Sequence, residues 1–168
     1  MPAFHSGPAS PCRCRPLNSN VRALCTSLAV YLLIFGAITP TVQAADTVSE
    51  LSRRSHISQP ELNELLSNCN RHQLSMNICA FRDFVAVDLE MQDVLADKLV
   101  TLPSHCHATL QEHQAAWAMR RDKTCNKDAD AEAEGGSIRP MVFSDCRTVA
   151  TKARIALLKQ VSSCKGLP

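Results

Sequence analysis

Cysteine and histidine are the residues of this 168-residue chain whose chemistry could be most specific, and it holds nine of the first and six of the second. A structural zinc site needs cysteine pairs only two to four residues apart. Past residue 44 the cysteines are Cys69, Cys79, Cys106, Cys125, Cys146 and Cys164, and no two are that close. His105-Cys106-His107 adds donors, with His113 beyond, but His107 and His113 are six apart and share no helical face. For catalysis the chain offers no H-E-x-x-H, no G-x-S-x-G and no free thiol set beside a histidine. Glu112 and His113 are adjacent and point apart on a helix. We therefore expect no metal, no cofactor and no enzymatic activity. The chemistry left to the cysteines is bridging.

Bridging requires an oxidising compartment, and the N-terminus reads as a route to one. Arg13, Arg15 and Arg22 make a basic start, Ala23 to Ile38 is an apolar run, and Val42-Gln43-Ala44 offers a small-residue cleavage site before Ala45. The sixteen residues of that run fall short of the ~20 a membrane span needs. The expected organisation is a signal peptide over 1–44, a polar leader and short helix over 45–68, and a helical domain over 69–168. The product would be periplasmic or secreted, touching membrane only through the signal segment if it stays uncleaved. Removing that segment leaves 15 Lys+Arg against 16 Asp+Glu and six cysteines. With four aromatics past residue 44 (Phe81, Phe84, Trp117, Phe143) and no basic arm, nucleic acid is not an expected partner.

Six cysteines allow 15 pairings, and helix geometry narrows them. The midpoint of Cys125 and Cys146 nearly coincides with that of Cys106 and Cys164. Both pairs would thus bridge one antiparallel helical hairpin, about 27 Å apart along it. Cys69 and Cys79 are left to pair locally.

Residues 45–57 are polar and aperiodic, and read as a flexible leader. Ser58-Gln59-Pro60-Glu61 reads as a helix start. Ser75 is placed to cap a long helix whose apolar stripe is Met76, Ala80, Phe84, Val87, Met91, Leu95, Leu99 and Leu102. Pro103 ends it. Leu110, Gln114, Trp117, Arg121 and Cys125 mark the inner face of a second helix, which Gly135-Gly136 stops. Ser137 can cap a third, with Val142, Cys146, Val149, Ala153, Ala156, Leu157 and Gln160 as its expected buried side. The fold class is all-α: a small disulfide-stapled bundle, built on an antiparallel hairpin plus one long packed helix.

The hairpin tip carries the best candidate binding residues. Asp128, Asp130, Glu132 and Glu134 precede Gly135, Gly136 and Ser137, with Arg139 just beyond. Away from the tip, Trp117, Arg121, Asp122 and Arg154 read as structural: Arg121 lies one turn past the indole and can cover it, and Arg154 could reach Asp88.

Several motifs coincide in order: Met76-Asn77-Ile78-Cys79-Ala80, Gln114-Ala115-Ala116-Trp117, Arg121-Asp122-Lys123-Thr124-Cys125, Gly135-Gly136-Ser137-Ile138 before Pro140, then Cys146, Thr151 and Arg154. In this succession the chain resembles the LprI-type lysozyme-inhibitor-like family, over about residues 69–160. It departs in having Val87-Asp88, Met91-Gln92 and Leu95 where the family tends to Ala-Asp, Leu-Asn and Tyr, and in adding Cys106 and Cys164 to the four cysteines of the common pattern. The resemblance implies a protein-binding domain that inhibits lysozyme by blocking its cleft. The rigid turn would enter it, Ser137 or Arg139 would address the two cleft carboxylates, and the four acids would steer a cationic partner. Alternative readings are an adaptor module of the cell envelope, or an immunity factor against a cell-wall-degrading toxin.

Overall fold

The computed structural model describes residues 41–166, and among them the chain forms five α-helices and no strand. These are α1 (Thr41–Ser55), α2 (Gln59–Leu66), α3 (Gln73–Thr101), α4 (His107–Ala133) and α5 (Arg139–Gln160), with 3₁₀ turns at Ser104–Cys106 and Cys164–Gly166. Three bridges tie them: Cys69–Cys79, Cys106–Cys164 and Cys125–Cys146, with Cα separations of 5.8, 5.2 and 5.5 Å. The last two clamp the α4–α5 hairpin, one near its turn and one at its open end.

The stretch read as a flexible leader is mostly helix. Leu51 of α1 is wholly buried with Leu62, Leu65, Ile78 and Val85, which docks the helix on α2 and α3. The sharp return into α2 is made at His56 (φ 60°), where the Ser52 hydroxyl donates to the Ile57 carbonyl at 2.6 Å. The expected cleavage junction, Ala44/Ala45, lies in the first turn of α1. The rest of the expected signal lies outside the described residues.

α3 starts two residues before the expected cap. The Nδ1 of His72, in extended conformation, accepts from the Ser75 N–H at 3.1 Å, so His72 is the cap and Ser75 is buried in the first turn. The apolar stripe of α3 faces inward as expected, Ala80, Phe84, Val87, Met91 and Leu102 being buried. So does that of α4, with Leu110 and Cys125 buried and Trp117 packed partly under.

The inner face of α5 differs from expectation. Its buried residues are Ser144, Thr148, Thr151, Arg154, Ile155 and Leu158, while Val149 and Leu157 are 70% and 49% exposed. Ala153, Ala156 and Gln160 face outward too. The cause is position: α5 is the helix on which both α3 and α4 chiefly pack. Small hydroxyl residues permit that close approach, and the Thr148 hydroxyl satisfies itself on the Ser144 carbonyl at 2.9 Å.

Two apolar cores result. One joins α1, α2 and the first half of α3. The other gathers Met91, Val94, Leu102, Cys106, Leu110, Ile155, Leu158 and Val161 at the open end of the hairpin.

Candidate functional site

The hairpin turn is built by backbone geometry that only a few residues accept. Glu134 ends α4 in the left-handed region (φ 44°) with its N–H donating to Asp130 O at 3.2 Å, and Gly135 follows at φ 78°. A Cβ on Gly136 would sit 3.0 Å from the Ala133 carbonyl, so the second glycine relieves a tight approach and the first serves conformation. The expected cap, Ser137, does not cap α5. Its carbonyl instead accepts from Asn77 Nδ2 of α3 at 3.0 Å, and Ile138 holds the N-cap position without a side-chain bond. That bond pins the turn to the neighbouring helix.

Arg139 is likewise turned to the protein's own use. Its Nε donates to Asp130 Oδ1 at 2.6 Å and its Nη2 to Asn126 Oδ1 at 2.7 Å. Arginine and aspartate close the turn as a clasp, one from each helix.

The four acids of the tip therefore divide. Asp130 belongs to the clasp and Glu134 to the turn. Asp128 and Glu132, one helical turn apart, line a groove of about 520 Å³ whose floor is Ile138, Met141, Val142, Val149 and Ala150 of α5. Asp145 joins them from α5, its carboxyl pushed above the ordinary aspartate value by burial and then by the negative charge of Asp83. The groove is an apolar strip with an acidic rim. The sequence reading missed Asp145 and the exposed Val149, because Val149 was given to the buried face of α5.

The residues read as structural meet in a different place, between the two cores. Guanidinium and ring alternate there. Arg147 lies 4.0 Å from the Phe143 centroid and 3.8 Å from that of Phe84. Arg121 lies 5.1 Å from Phe84 and 5.0 Å from Trp117, and Arg154 follows at 5.4 Å from Trp117. Asp88, nearly buried, is the anion of this layer. It pairs with Arg54 Nη1 at 2.8 Å and Arg121 Nη1 at 3.6 Å. Arg121 also pairs with Asp122 at 2.8 Å and donates to the Thr151 hydroxyl at 3.1 Å. The expected bridge from Arg154 to Asp88 is not made: Arg154 Nε donates to Gln114 Oε1 at 3.0 Å, since Arg54 and Arg121 already fill Asp88. Phe143 and Arg147 repeat the one-turn spacing of Trp117 and Arg121, a signal that could have shown Arg147 in advance.

Of the histidines weighed as metal donors, His105 lies with Cys106 and Cys164 so that one donor atom of each falls within 4.8 Å of the others. Both sulfurs are spent on their bridge, which leaves one ligand.

Comparison with known families matches residues 67–158 to the family described as Lysozyme inhibitor LprI. The chain belongs to the LprI lysozyme inhibitor family. The match takes in the hairpin tip and Asp88, Trp117, Arg121, Arg147 and Arg154, whereas α1 and Cys164 lie outside it. A curated relative, an uncharacterised protein of Rhizobium meliloti, is 33% identical over 102 residues, covering 53% of this chain and 73% of its own length. No solved structure matches. An inhibitor family agrees with a non-catalytic reading, and LprI membership together with the three bridges agrees with an exported protein. No described helix is long and apolar enough to cross a membrane.

Proposed function

We propose that this LprI-family domain is an exported inhibitor that binds a lysozyme through the tip of the α4–α5 hairpin and occludes its cleft. The observation that carries the reading is the acid-rimmed apolar groove at a disulfide-clamped turn. Its chemistry suits a cationic partner: Asp128, Glu132 and Asp145 take basic side chains whose aliphatic stems lie on Ile138 and Val149. The turn from Glu134 to Ile138 is the part that would stand over the cleft. In this reading Arg139 organises the turn rather than entering the cleft, because Asp130 and Asn126 hold its guanidinium through Nε and Nη2.

The test is titration of the oxidised protein into peptidoglycan lysis by chicken-type, goose-type and invertebrate-type lysozymes at physiological salt. Saturable inhibition of at least one type is expected. Asp128→Lys with Glu132→Lys should weaken it by about tenfold to a hundredfold, since like charges now face the partner. Inhibition untouched by that double reversal removes the groove from the mechanism. No inhibition of any type leaves an envelope adaptor as the reading.

A further inference from the structure

The opposite flank of α5 carries a second groove, of about 320 Å³, shared with the start of α3. Leu74, Phe81 and Phe143 give it apolar walls, Asn77 adds a polar edge, and two cations line it: Arg139, which is held by Asp130 and Asn126, and Arg147. Arg147 is the odd member of the arginine layer. Arg54 has Asp88 and Glu50, Arg121 has Asp88, Asp122 and Thr151, and Arg154 has Gln114. Among the described residues none accepts a hydrogen bond from Arg147, and its Nε is shut off from solvent without a partner. Its guanidinium carbon lies 3.8 Å from the Phe84 centroid and 4.0 Å from that of Phe143, contacts that hold the cation but supply no hydrogen-bond acceptor. The charges that reach it from a distance are of both signs: Asp122 and Asp88, and Arg121 and Arg54. Burial lowers its pKa to about 10, which still leaves it a cation at neutral pH.

A cation held in place, short of an acceptor and set among apolar side chains fits an anion that carries apolar atoms next to its charge. We propose that this groove receives an acidic side chain presented by a partner protein, the terminal nitrogens of Arg147 taking the carboxylate while Leu74, Phe81 and Phe143 take the apolar residue beside it. Arg147 is recessed in a groove, so the acid must protrude from the partner. It therefore differs in kind from a carboxylate at the bottom of an enzyme cleft, and the assignment holds whether or not the partner is a lysozyme. The two flanks of α5 would then read opposite charges on whatever docks at the hairpin tip.

The probes are acetyl-Leu-Glu-Leu-amide and its glutamine analogue, titrated into the oxidised ¹⁵N-labelled protein and followed at the Arg147 Nε–H and Asn77 side-chain amide resonances. The glutamate peptide should shift both saturably in the millimolar range, and the glutamine peptide should bind about tenfold more weakly. Arg147→Lys should retain part of the binding and Arg147→Met should lose it. Leu74 is half exposed, so Leu74→Glu at the groove mouth keeps the fold and should weaken the glutamate peptide by a similar factor through repulsion. Equal binding of the two peptides, shifts confined to other parts of the protein, or no shift by about 20 mM peptide overturns the assignment.

Discussion

Asp88→Asn isolates the arginine layer, because it removes the anion that two arginines share while preserving volume. Cutting one partner from a buried ion pair costs about 3–5 kcal/mol, most of it the charge left behind. Here the orphaned charges keep some company. Arg54 retains Glu50 at 2.6 Å and Arg121 retains Asp122 at 2.8 Å, while the new amide can still accept one hydrogen bond. Those remnants reduce the expected loss to about 2–3 kcal/mol. Urea unfolding of the oxidised protein at pH 7 is the assay. With a slope of about 1–3 kcal/mol/M, the midpoint should fall by roughly 1–2 M at unchanged slope. Glu90→Gln serves as the control, since its pair with Lys159 is well exposed and should cost less than about 1 kcal/mol. A fall under about 0.3 M for Asp88→Asn, or one no larger than the control's, refutes the reasoning: the layer would then be hydrated, and the rings rather than the aspartate would be holding the arginines in place.

Replacing Cys106 and Cys164 together by serine should cost about 4 kcal/mol, against about 3 kcal/mol for Cys69 with Cys79, because the first bridge spans 58 residues and the second 10; thermal melts of the two double variants give the order, and the reverse order contradicts it. The Glu50 carboxyl is held at about 2, below its ordinary 4.5, first by the hydrogen bond from Arg53 and then by that from Arg54. A folded value below the unfolded one stabilises fully above pH 4.5 and is lost as pH falls through 2. The advantage of the native protein over Glu50→Gln should therefore be largest above pH 4.5 and fade towards pH 2, and should shrink in added salt; an urea-midpoint gap that is constant over that range rules this out. Reversal of Asp128 and Glu132 is expected to act on lysozyme inhibition and leave the melting temperature nearly unchanged, both being exposed.

Much of the fold was legible because apolar periodicity and cysteine spacing are local signals. The stripe of α3 and the clamped hairpin follow from them directly. What was not legible depended on where each helix sits. Val149 and Leu157 look like core letters, yet a helix flanked on two sides by others needs thin residues at its contacts, and Ser144, Thr148 and Thr151 supply them. α1 carries only a short apolar line, Ala44, Val48 and Leu51, in a stretch otherwise polar, and what makes Leu51 its anchor lies in Ile78 and Val85, on another helix. At the tip, the acids and glycines were legible as a turn, but their division was not. Asp130 and Asp128 are alike in sequence, and only the direction of Arg139 separates the clasp from the groove.

The polar interior explains why the tip can act as a unit. α3 and α4 pack chiefly on α5 rather than on each other, and the space between them is spanned by long side chains, Gln114 reaching Met91 and Arg121 reaching Phe84 and Asp88. Aliphatic side chains there would slide; a flat guanidinium seated between a ring and a carboxylate has one arrangement. With Cys125–Cys146 on one side and the Asn77 bond to Ser137 on the other, the turn is fixed before any partner arrives, so less ordering entropy opposes binding. The same logic separates the grooves. The one lined by Leu95, Leu99, Leu110, Ala115 and Ala118 has apolar walls but no charged side chain, and so nothing in it selects a partner. The two flanking the first turns of α5 each pair an apolar wall with charge of one sign, and recognition by complementarity can operate there.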